Sequence, residues 1–142
     1  MQKYVAGFLF CPSEHSVVLV RKNRPAYQAG KLNGVGGKIE RGETPEQAMI
    51  REFQEETGMY VGSWREEVIL SGSGFQVHFF SAHSPIIDEV RTMTDETIEV
   101  HNVDDVLLSR VQTMANLPSL ISLCRDRSGL IRPIHLLDGS VQ

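Results

Sequence analysis

The sequence predicts a mixed α/β domain, and three observations support this prediction. Short runs rich in Val, Leu and Phe alternate with turn residues, as β-strands do. One segment, residues 45–57, has the apolar spacing and the end signals of an α-helix. The chain has 142 residues, of which 41% are hydrophobic, so we expect residues 1–142 to form one domain with its own core.

The first predicted elements are two strands, residues 3–10 and 16–21, which a turn at 12–14 joins as an antiparallel hairpin. Residues 22–31 read as a polar loop. Residues 32–37, LNGVGG, contain too many glycines for an ordinary strand. We expect the backbone there to come close to another group.

The helix at 45–57 has a signal at each end. Thr44 is a candidate N-cap, Pro45 suits the first helical position, and Gln47 completes a Thr-x-x-Gln capping box. Gly58 is a natural C-terminal stop. These local signals predict the helix boundaries.

The later elements are predicted from shorter patterns. Alternation predicts three strands, and apolar spacing predicts two helical pieces. We expect the strands at 60–70, 75–82 and 97–103, a turn at 71–74, and the helices at 104–111 and 116–124.

Composition excludes some classes of protein. The formal net charge of −4 argues against a protein that binds a nucleic acid polymer, because such binding needs a basic face. Cys11 and Cys124 form no CxxC pair, so we interpret them as reduced structural residues of a cytoplasmic protein. The N-terminal segment lacks signal-peptide features, and VAGFLF is too short to cross a bilayer, so we expect no membrane partner.

Three glutamates lie on one face of the predicted helix. Glu52, Glu55 and Glu56 stand at i, i+3 and i+4. Two such charges ~4 Å apart repel by about 4 kcal/mol at an effective dielectric constant near 20, so protonation or a cation must neutralise them. Mg²⁺ suits a few carboxylates that act together with substrate phosphates. The alternative interpretation is a solvated acidic face.

The spacing around these glutamates carries a family resemblance. Gly37 is followed after five residues by Glu43, and after seven more by REFQEETGM at 51–59. This pattern resembles the Nudix box, GX5EX7REUXEEXGU with U apolar, at every defined position. The resemblance to Nudix hydrolases implies the Nudix fold, a mixed curved sheet between helices in an α/β/α arrangement.

The resemblance also implies roles for the residues of the box. Glu52, Glu55 and Glu56 are similar to catalytic, metal-binding carboxylates, and the carbonyl of Gly36 is similar to a further ligand. The implied metal is Mg²⁺, with Mn²⁺ as a substitute. The positions that resemble the family's structural support are Gly37, Glu43, Arg51 and Gly58, with Glu43 and Arg51 forming an ion pair that fixes the loop against the helix.

Further site residues are expected outside the box. Lys38 and Arg21 lie where the family often contacts substrate phosphates; the alternative is ordinary surface cations. Many Nudix enzymes add a catalytic carboxylate from a later loop. The segment 92–99 offers three acidic residues, and we favour Glu96 because it directly precedes the strand at 97–103. The alternative is a solvated acidic loop.

The segment at 30–43 resembles enzymes that hydrolyse purine nucleoside triphosphates, including oxidised ones. There, an asparagine at the position of Asn33 binds the purine, and an amide can pair with a purine edge. A turn residue before glycine is the alternative. Tyr27 is a candidate for base stacking, whereas Phe75 and Phe79 read as core residues. Leu32 departs from the aromatic residue that is frequent at its position.

The predicted activity is therefore metal-dependent hydrolysis of a nucleoside diphosphate linked to another group. A nucleoside triphosphate, cleaved to the monophosphate and pyrophosphate, is the favoured substrate. Two alternatives are an ADP-ribose or nucleotide-sugar pyrophosphatase and a non-catalytic, nucleotide-binding regulatory domain. Three features that mark other Nudix subfamilies are absent: a proline within residues 60–84, a tyrosine after Tyr60 and the motif SQPWPFPxS. We expect a monomer or homodimer.

Overall fold

An eight-stranded mixed β-sheet runs through the protein. The computed structural model of the chain describes residues 1–126 and 128–138. The strands are β1 (Gln2–Cys11), β2 (Ser16–Arg21), β3 (Leu32–Asn33), β4 (Val35–Lys38), β5 (Arg65–Gly72), β6 (Phe75–His83), β7 (Thr97–Asn102) and β8 (Ile134–Leu137). They lie in the order β3-β2-β1-β6-β5-β8, with β4 paired to β1 and β7 paired to β2.

Helices cover both faces of this sheet, which confirms the predicted α/β/α arrangement. They are α1 (Pro45–Thr57), α2 (Val103–Leu107) and α3 (Leu117–Arg125). One core lies beneath α1 and includes Met49, Phe53 and Trp64. The other lies beneath α2 and α3 and includes Leu117 and Ile121.

Strand β1 supplies side chains to both cores because successive residues of a strand point to opposite faces. Ala6 and Phe8 belong to the core under α2 and α3, whereas Val5 and Leu9 belong to the core under α1. A Cβ at Gly7 would lie 2.7 Å from the Met49 sulfur, so glycine at this position lets α1 pack closely on the strand.

Strand β1 also has three neighbours in the sheet. It runs antiparallel to β2 and β4 and parallel to β6. The β1–β2 pair is the predicted hairpin, with its turn formed by a short 3₁₀ segment, Pro12–Glu14. The second parallel pair of the sheet joins β5 and β8.

The predicted helix at 45–57 is confirmed at both ends. The Gln47 amide donates to Thr44 Oγ1 at 3.1 Å, and the Thr44 amide donates to Gln47 Oε1 at 2.9 Å. Gly58 ends the helix with a φ of 75°, and its amide donates to the Gln54 carbonyl at 2.9 Å. Only the capping box and a left-handed glycine were needed to set these boundaries.

Two predicted elements had wrong bounds, and one segment forms strands where no ordinary strand was expected. The strand predicted from residue 60 begins at Arg65, because residues 60–64 form a loop in which Trp64 packs on Phe53 with ring centroids 5.2 Å apart. The helix predicted for 104–111 covers only 103–107, since Asn102 caps it one residue earlier and it ends before Leu108. Residues 32–37, predicted not to form a strand, contain β3 and most of β4.

Strand β8 was not predicted, and buried charges anchor the segment that leads into it. Arg132 donates from Nη2 to the Leu123 carbonyl at 3.1 Å, and its Nε lies 3.7 Å from Oε1 of the buried Glu67. Cys11 and Cys124 are free and buried as expected, and burial raises the pKa of the Cys124 thiol to about 12. The domain predicted for 1–142 includes residues 127 and 139–142, which lie outside the described residues.

Across the described ranges 1–126 and 128–138, no helix has both the length and the apolar composition that a membrane crossing requires.

Candidate active site

Strand β4 and helix α1 bring the two ends of the glycine–glutamate motif together. A Cβ at Gly37 would lie 2.6 Å from the Glu52 carboxyl carbon, so only glycine leaves room for that carboxylate. A Cβ at Gly36 would lie 1.9 Å from the Val5 carbonyl oxygen. The close backbone approach predicted for the glycine-rich segment is therefore present at both glycines.

The predicted ion pair between Arg51 and Glu43 is also present. Arg51 donates from Nε to Glu43 Oε2 at 2.7 Å and from Nη2 to Glu43 Oε1 at 2.9 Å. Arg51 Nη2 also donates to the Lys38 carbonyl at 3.1 Å. The Arg51 hydrogen bond lowers the pKa of Glu43, so the pair stays charged and holds the loop at 38–43 against α1.

The three helix carboxylates share one face but differ in environment. The Glu52 side chain is 14% exposed, whereas that of Glu55 is 58% exposed. Burial raises the pKa of Glu52 even though Arg51 opposes this shift. Burial, followed by the charge of Glu52, raises the pKa of Glu56 to about 7. The face therefore carries negative charge that its surroundings do not fully stabilise.

The donor set on this face fits a hard divalent cation, because carboxylate oxygens are the ligands that Mg²⁺ prefers. Arg51 Nη1 lies 2.9 Å from Glu52 Oε1 and 3.2 Å from Glu55 Oε2. Among residues 1–126 and 128–138, no three acidic, His or Cys side chains converge on a single point suitable for a metal ion. The ligand roles of Glu52, Glu55, Glu56 and the Gly36 carbonyl therefore remain predictions.

A cavity of about 440 Å³ opens beside strand β4. It brings together three of the four predicted substrate-binding residues, namely Tyr27, Asn33 and Lys38. Phe75, which we expected in the core, also lines this cavity, whereas Phe79 is buried and stacks on Phe8 as expected. Gly36 and Gly37 of β4 line this cavity. Gly37 also lies against the Glu52 carboxylate.

A chain of hydrogen bonds runs along the cavity wall and orients Asn33. Asn33 Oδ1 accepts from the Gly34 amide at 2.8 Å, and its Nδ2 donates to Gln28 Oε1 at 3.4 Å. Gln28 Nε2 then donates to the Tyr27 hydroxyl at 2.9 Å. Gln28 was not predicted, because nothing in the local pattern indicates that a loop amide contacts β3. Leu32, next to Asn33, is fully buried in the core.

Arg21, the fourth predicted substrate-binding residue, does not line this cavity. Its guanidinium donates to both oxygens of Glu99, with Nη2 and Oε1 2.8 Å apart, and Nη1 donates to the Gly30 carbonyl at 2.9 Å. Its neighbour Lys22 does line the cavity. Lys22 also lowers the pKa of Glu56 by its charge, although burial and Glu52 dominate the shift. Sequence reasoning missed Lys22 because it lies just past the end of β2.

Glu96 is buried between the end of β2 and the start of β7. Its Oε1 accepts from Lys22 Nζ at 2.9 Å, and its Oε2 accepts from the Asn23 amide at 2.7 Å. Burial tends to raise the pKa of Glu96, but Lys22 and the backbone donors outweigh it and the pKa is lowered. The catalytic role expected for Glu96 from the sequence stays a prediction.

A second cavity, of about 320 Å³, lies near the other end of β1 and is lined by Phe10, His15, His83 and Arg125 among others. None of the predicted site residues lines it. The candidate site is therefore the cavity beside β4 and the carboxylate face of α1.

Comparison with known proteins places this arrangement in a family. The family model of the NUDIX domain matches residues 1–118. The 8-oxo-dGTP diphosphatase of Escherichia coli is 51% identical over 45 residues, which cover 32% of this chain and 35% of that enzyme. The oxidized purine nucleoside triphosphate hydrolase of Danio rerio is 41% identical over 71 residues, 46% of each chain. The matches thus span about half of these curated relatives or less.

Solved structures share the fold at low sequence identity. A structure from a study of MutT from Aliivibrio salmonicida and Vibrio cholerae matches with a TM-score of 0.69 and 21% identity, covering 88% of this chain and 97% of that one. The NUDIX domain of Shewanella oneidensis NrtR, complexed with ADP ribose, matches with a TM-score of 0.72 and 17% identity, covering 88% and 86%. These structures share the fold, and the match of the family model over most of the chain shows that the protein belongs to the Nudix family.

Proposed function

We propose that the protein is a divalent-metal-dependent pyrophosphohydrolase of purine nucleoside triphosphates, oxidised purines included. The observation that carries the proposal is the position of the Asn33 cavity. Gly37 lines this cavity and also lies against the Glu52 carboxylate of α1. A base in this cavity therefore directs its phosphates toward Glu52 and Glu56.

The proposed cation, Mg²⁺ or Mn²⁺, would be held by Glu52, Glu55 and Glu56 together with the Gly36 carbonyl. When bound, it would offset the charge of the phosphate oxygens and lower the pKa of a water ligand. The acidic face can then receive an anionic substrate, because the cation reverses the local sign of charge.

The chain's own residues bind and orient the nucleotide in this proposal. Lys22 and Lys38, which line the cavity, contact the phosphates as point charges. Asn33 pairs with the purine edge, since the Gly34 amide and Gln28 hold its side chain in one orientation. Tyr27 and Phe75 pack against the base. Arg51 keeps the loop at 38–43 in place and does not contact the substrate.

The names of the curated relatives support the same substrate class. The E. coli protein is named for its action on 8-oxo-dGTP, and the D. rerio protein for its action on oxidized purine nucleoside triphosphates. Their matches to this chain are 51% and 41% identical. The Asn33 cavity gives a physical reason to extend that substrate class to this chain.

A substrate panel tests the proposal. Purified protein is assayed with Mg²⁺ and separately with Mn²⁺ against GTP, dGTP, 8-oxo-dGTP, ATP, CTP and ADP-ribose, with detection of pyrophosphate and of the monophosphate. We expect purine triphosphates to have the highest kcat/KM, and EDTA to abolish turnover. The variant Glu52→Gln serves as the control for contaminating phosphatases.

Turnover of ADP-ribose with none of any triphosphate would show that the substrate assignment is wrong. Nucleotide binding without turnover at any metal concentration would instead indicate a regulatory domain.

A further inference from the structure

We propose that Glu96 is a positioning residue that fixes residues 22–28, here named the base loop, relative to the carboxylate face of α1. This inference rests on the proposed function, because the base loop is taken to contact the nucleotide. It assigns Glu96 a role in positioning the substrate pocket. This role replaces the chemical role that we expected from the sequence.

The contacts of Glu96 are made almost entirely by the start of the base loop. Oε1 accepts from Lys22 Nζ at 2.9 Å. Oε2 accepts from the backbone amides of Asn23 at 2.7 Å and Arg24 at 3.4 Å. Both carboxylate oxygens are therefore engaged by three consecutive residues, and the Glu96 side chain is only 6% exposed.

The neighbouring acidic residues differ from Glu96 in burial and in partners. Asp95 also pairs with the base loop, through Arg24, but its side chain is 62% exposed. Glu99 pairs with Arg21 and His101 on the sheet. A charge-assisted hydrogen bond contributes more when it is shielded from water. Glu96 therefore supplies the buried carboxylate that holds the start of the base loop to the 92–99 segment, and Asn23 Nδ2 adds a hydrogen bond to the Asp95 carbonyl at 2.5 Å.

The later residues of the base loop line the cavity, so the contacts of Glu96 also affect the cavity. Its 3₁₀ turn, Ala26–Gln28, is closed by the Gln28 amide, which donates to the Pro25 carbonyl at 2.9 Å. Pro25, Tyr27 and Gln28 all line the cavity. Gln28 then accepts from Asn33 Nδ2 at 3.4 Å. A displaced base loop would thus move Tyr27 and release the Asn33 amide together.

The 92–99 segment that carries Glu96 is also bound to the end of α1, because the Met93 amide donates to the Glu56 carbonyl at 3.2 Å. Lys22 both donates to Glu96 and lines the cavity. Glu96 therefore connects the cavity to a segment that contacts α1. By holding Lys22 and the adjoining amides, Glu96 keeps the base pocket preorganised for the nucleotide, so its loss should weaken binding more than it slows the chemical step.

Kinetics on the full chain separate positioning from chemistry. GTP hydrolysis with Mg²⁺ is measured for wild type, Glu96→Gln, Glu96→Ala and the control Asp95→Asn, which alters the adjacent exposed carboxylate. We expect Glu96→Ala to raise KM about tenfold and to leave kcat within about threefold of wild type. The KM of Glu96→Gln should lie between those of wild type and Glu96→Ala. The KM and kcat of Asp95→Asn should match wild type. A fall in kcat of about a hundredfold at unchanged KM would overturn the proposal.

A second measurement does not require turnover. Amide hydrogen exchange at Asn23 and Arg24 should accelerate in both Glu96 variants, while the amides of α1 keep their wild-type rates. Unchanged exchange at these two amides would also overturn the proposal, and Glu96→Gln provides the test if Glu96→Ala does not fold. If wild type turns over no triphosphate, the proposed function fails, and exchange together with calorimetric GMP binding still decides the role of Glu96.

Discussion

The carboxylate of Glu52 occupies the space that any side chain at position 37 would need. A Cβ on Gly37 would lie 2.6 Å from both Cδ and Oε1 of Glu52. The two residues come from β4 and α1, so a side chain at position 37 would displace the Glu52 carboxylate. The glycine of the motif and its first proposed metal-binding glutamate are thus one structural unit.

Gly37→Ala should destabilise the fold by about 1 kcal/mol, because the added methyl group displaces the Glu52 carboxylate from its hydrogen bond with Arg51. Urea unfolding measures this change. In a Glu52→Ala background the space is open, so the same substitution should cost much less. An equal cost in both backgrounds would contradict the contact as the cause.

Glu56→Gln should lower turnover at least tenfold, which corresponds to about 1.4 kcal/mol of barrier, with little change in fold. It should also reduce the rise in melting temperature that Mg²⁺ gives to wild type, because one proposed ligand has lost its charge. Glu46→Gln, an exposed first-turn residue of the same helix, is the matched control. Equal rates and equal Mg²⁺ responses for wild type and Glu56→Gln would remove Glu56 from the metal site.

Arg51→Ala should lower both stability and activity. Its removal leaves Glu43 without its two hydrogen bonds of 2.7 and 2.9 Å and frees the Lys38 carbonyl at the loop. We expect a loss of about 1–3 kcal/mol in the free energy of unfolding. Arg41→Ala, an exposed cation of the same loop, should leave both nearly unchanged. An unchanged melting temperature for Arg51→Ala would count against its orienting role.

Glu99→Gln should flatten the acid limb of the stability curve. The hydrogen bond from Arg21 lowers the pKa of Glu99 to about 2. Because this folded-state pKa lies below the ordinary glutamate value of 4.5, Glu99 stabilises the fold above pH 4.5. That contribution is lost progressively as the pH falls from the ordinary value toward the folded-state pKa. Urea unfolding at pH 5, 4 and 3 measures the slope, and the exposed Glu89→Gln should retain the wild-type slope.

The parts that could be predicted from sequence are those with local signals. Helix α1 needs only Thr44, Gln47 and Gly58 for its boundaries, and all three act within one turn of the helix ends. The Arg51–Glu43 pair was predicted because the sequence resembles the Nudix box at both positions. The carboxylate face follows from the helical period.

The parts that could not be predicted depend on contacts between distant segments. Strand β8 pairs in parallel with β5, and nothing in the residues around Pro133 identifies that partner. Lys22 lines the cavity, whereas Arg21 pairs with Glu99. This difference arises because β7, which is distant in sequence, pairs with β2 and carries Glu99. The environment of Glu96 is likewise set by a loop more than seventy residues earlier.

The place of β1 in the sheet has a consequence for the rate of folding. Its parallel partner, β6, matches Gln2 with Phe75, so the central pairing closes a long loop of chain. The entropy of that closure is lost before any of its contacts form, and such non-local pairing is associated with folding in milliseconds to seconds. The β1–β2 hairpin is local in sequence, but neither core is complete until β6 pairs with β1, because β6 supplies Phe79 to one core and Phe80 to the other. Refolding should therefore show one slow cooperative phase in which the two faces of the sheet acquire their packing together.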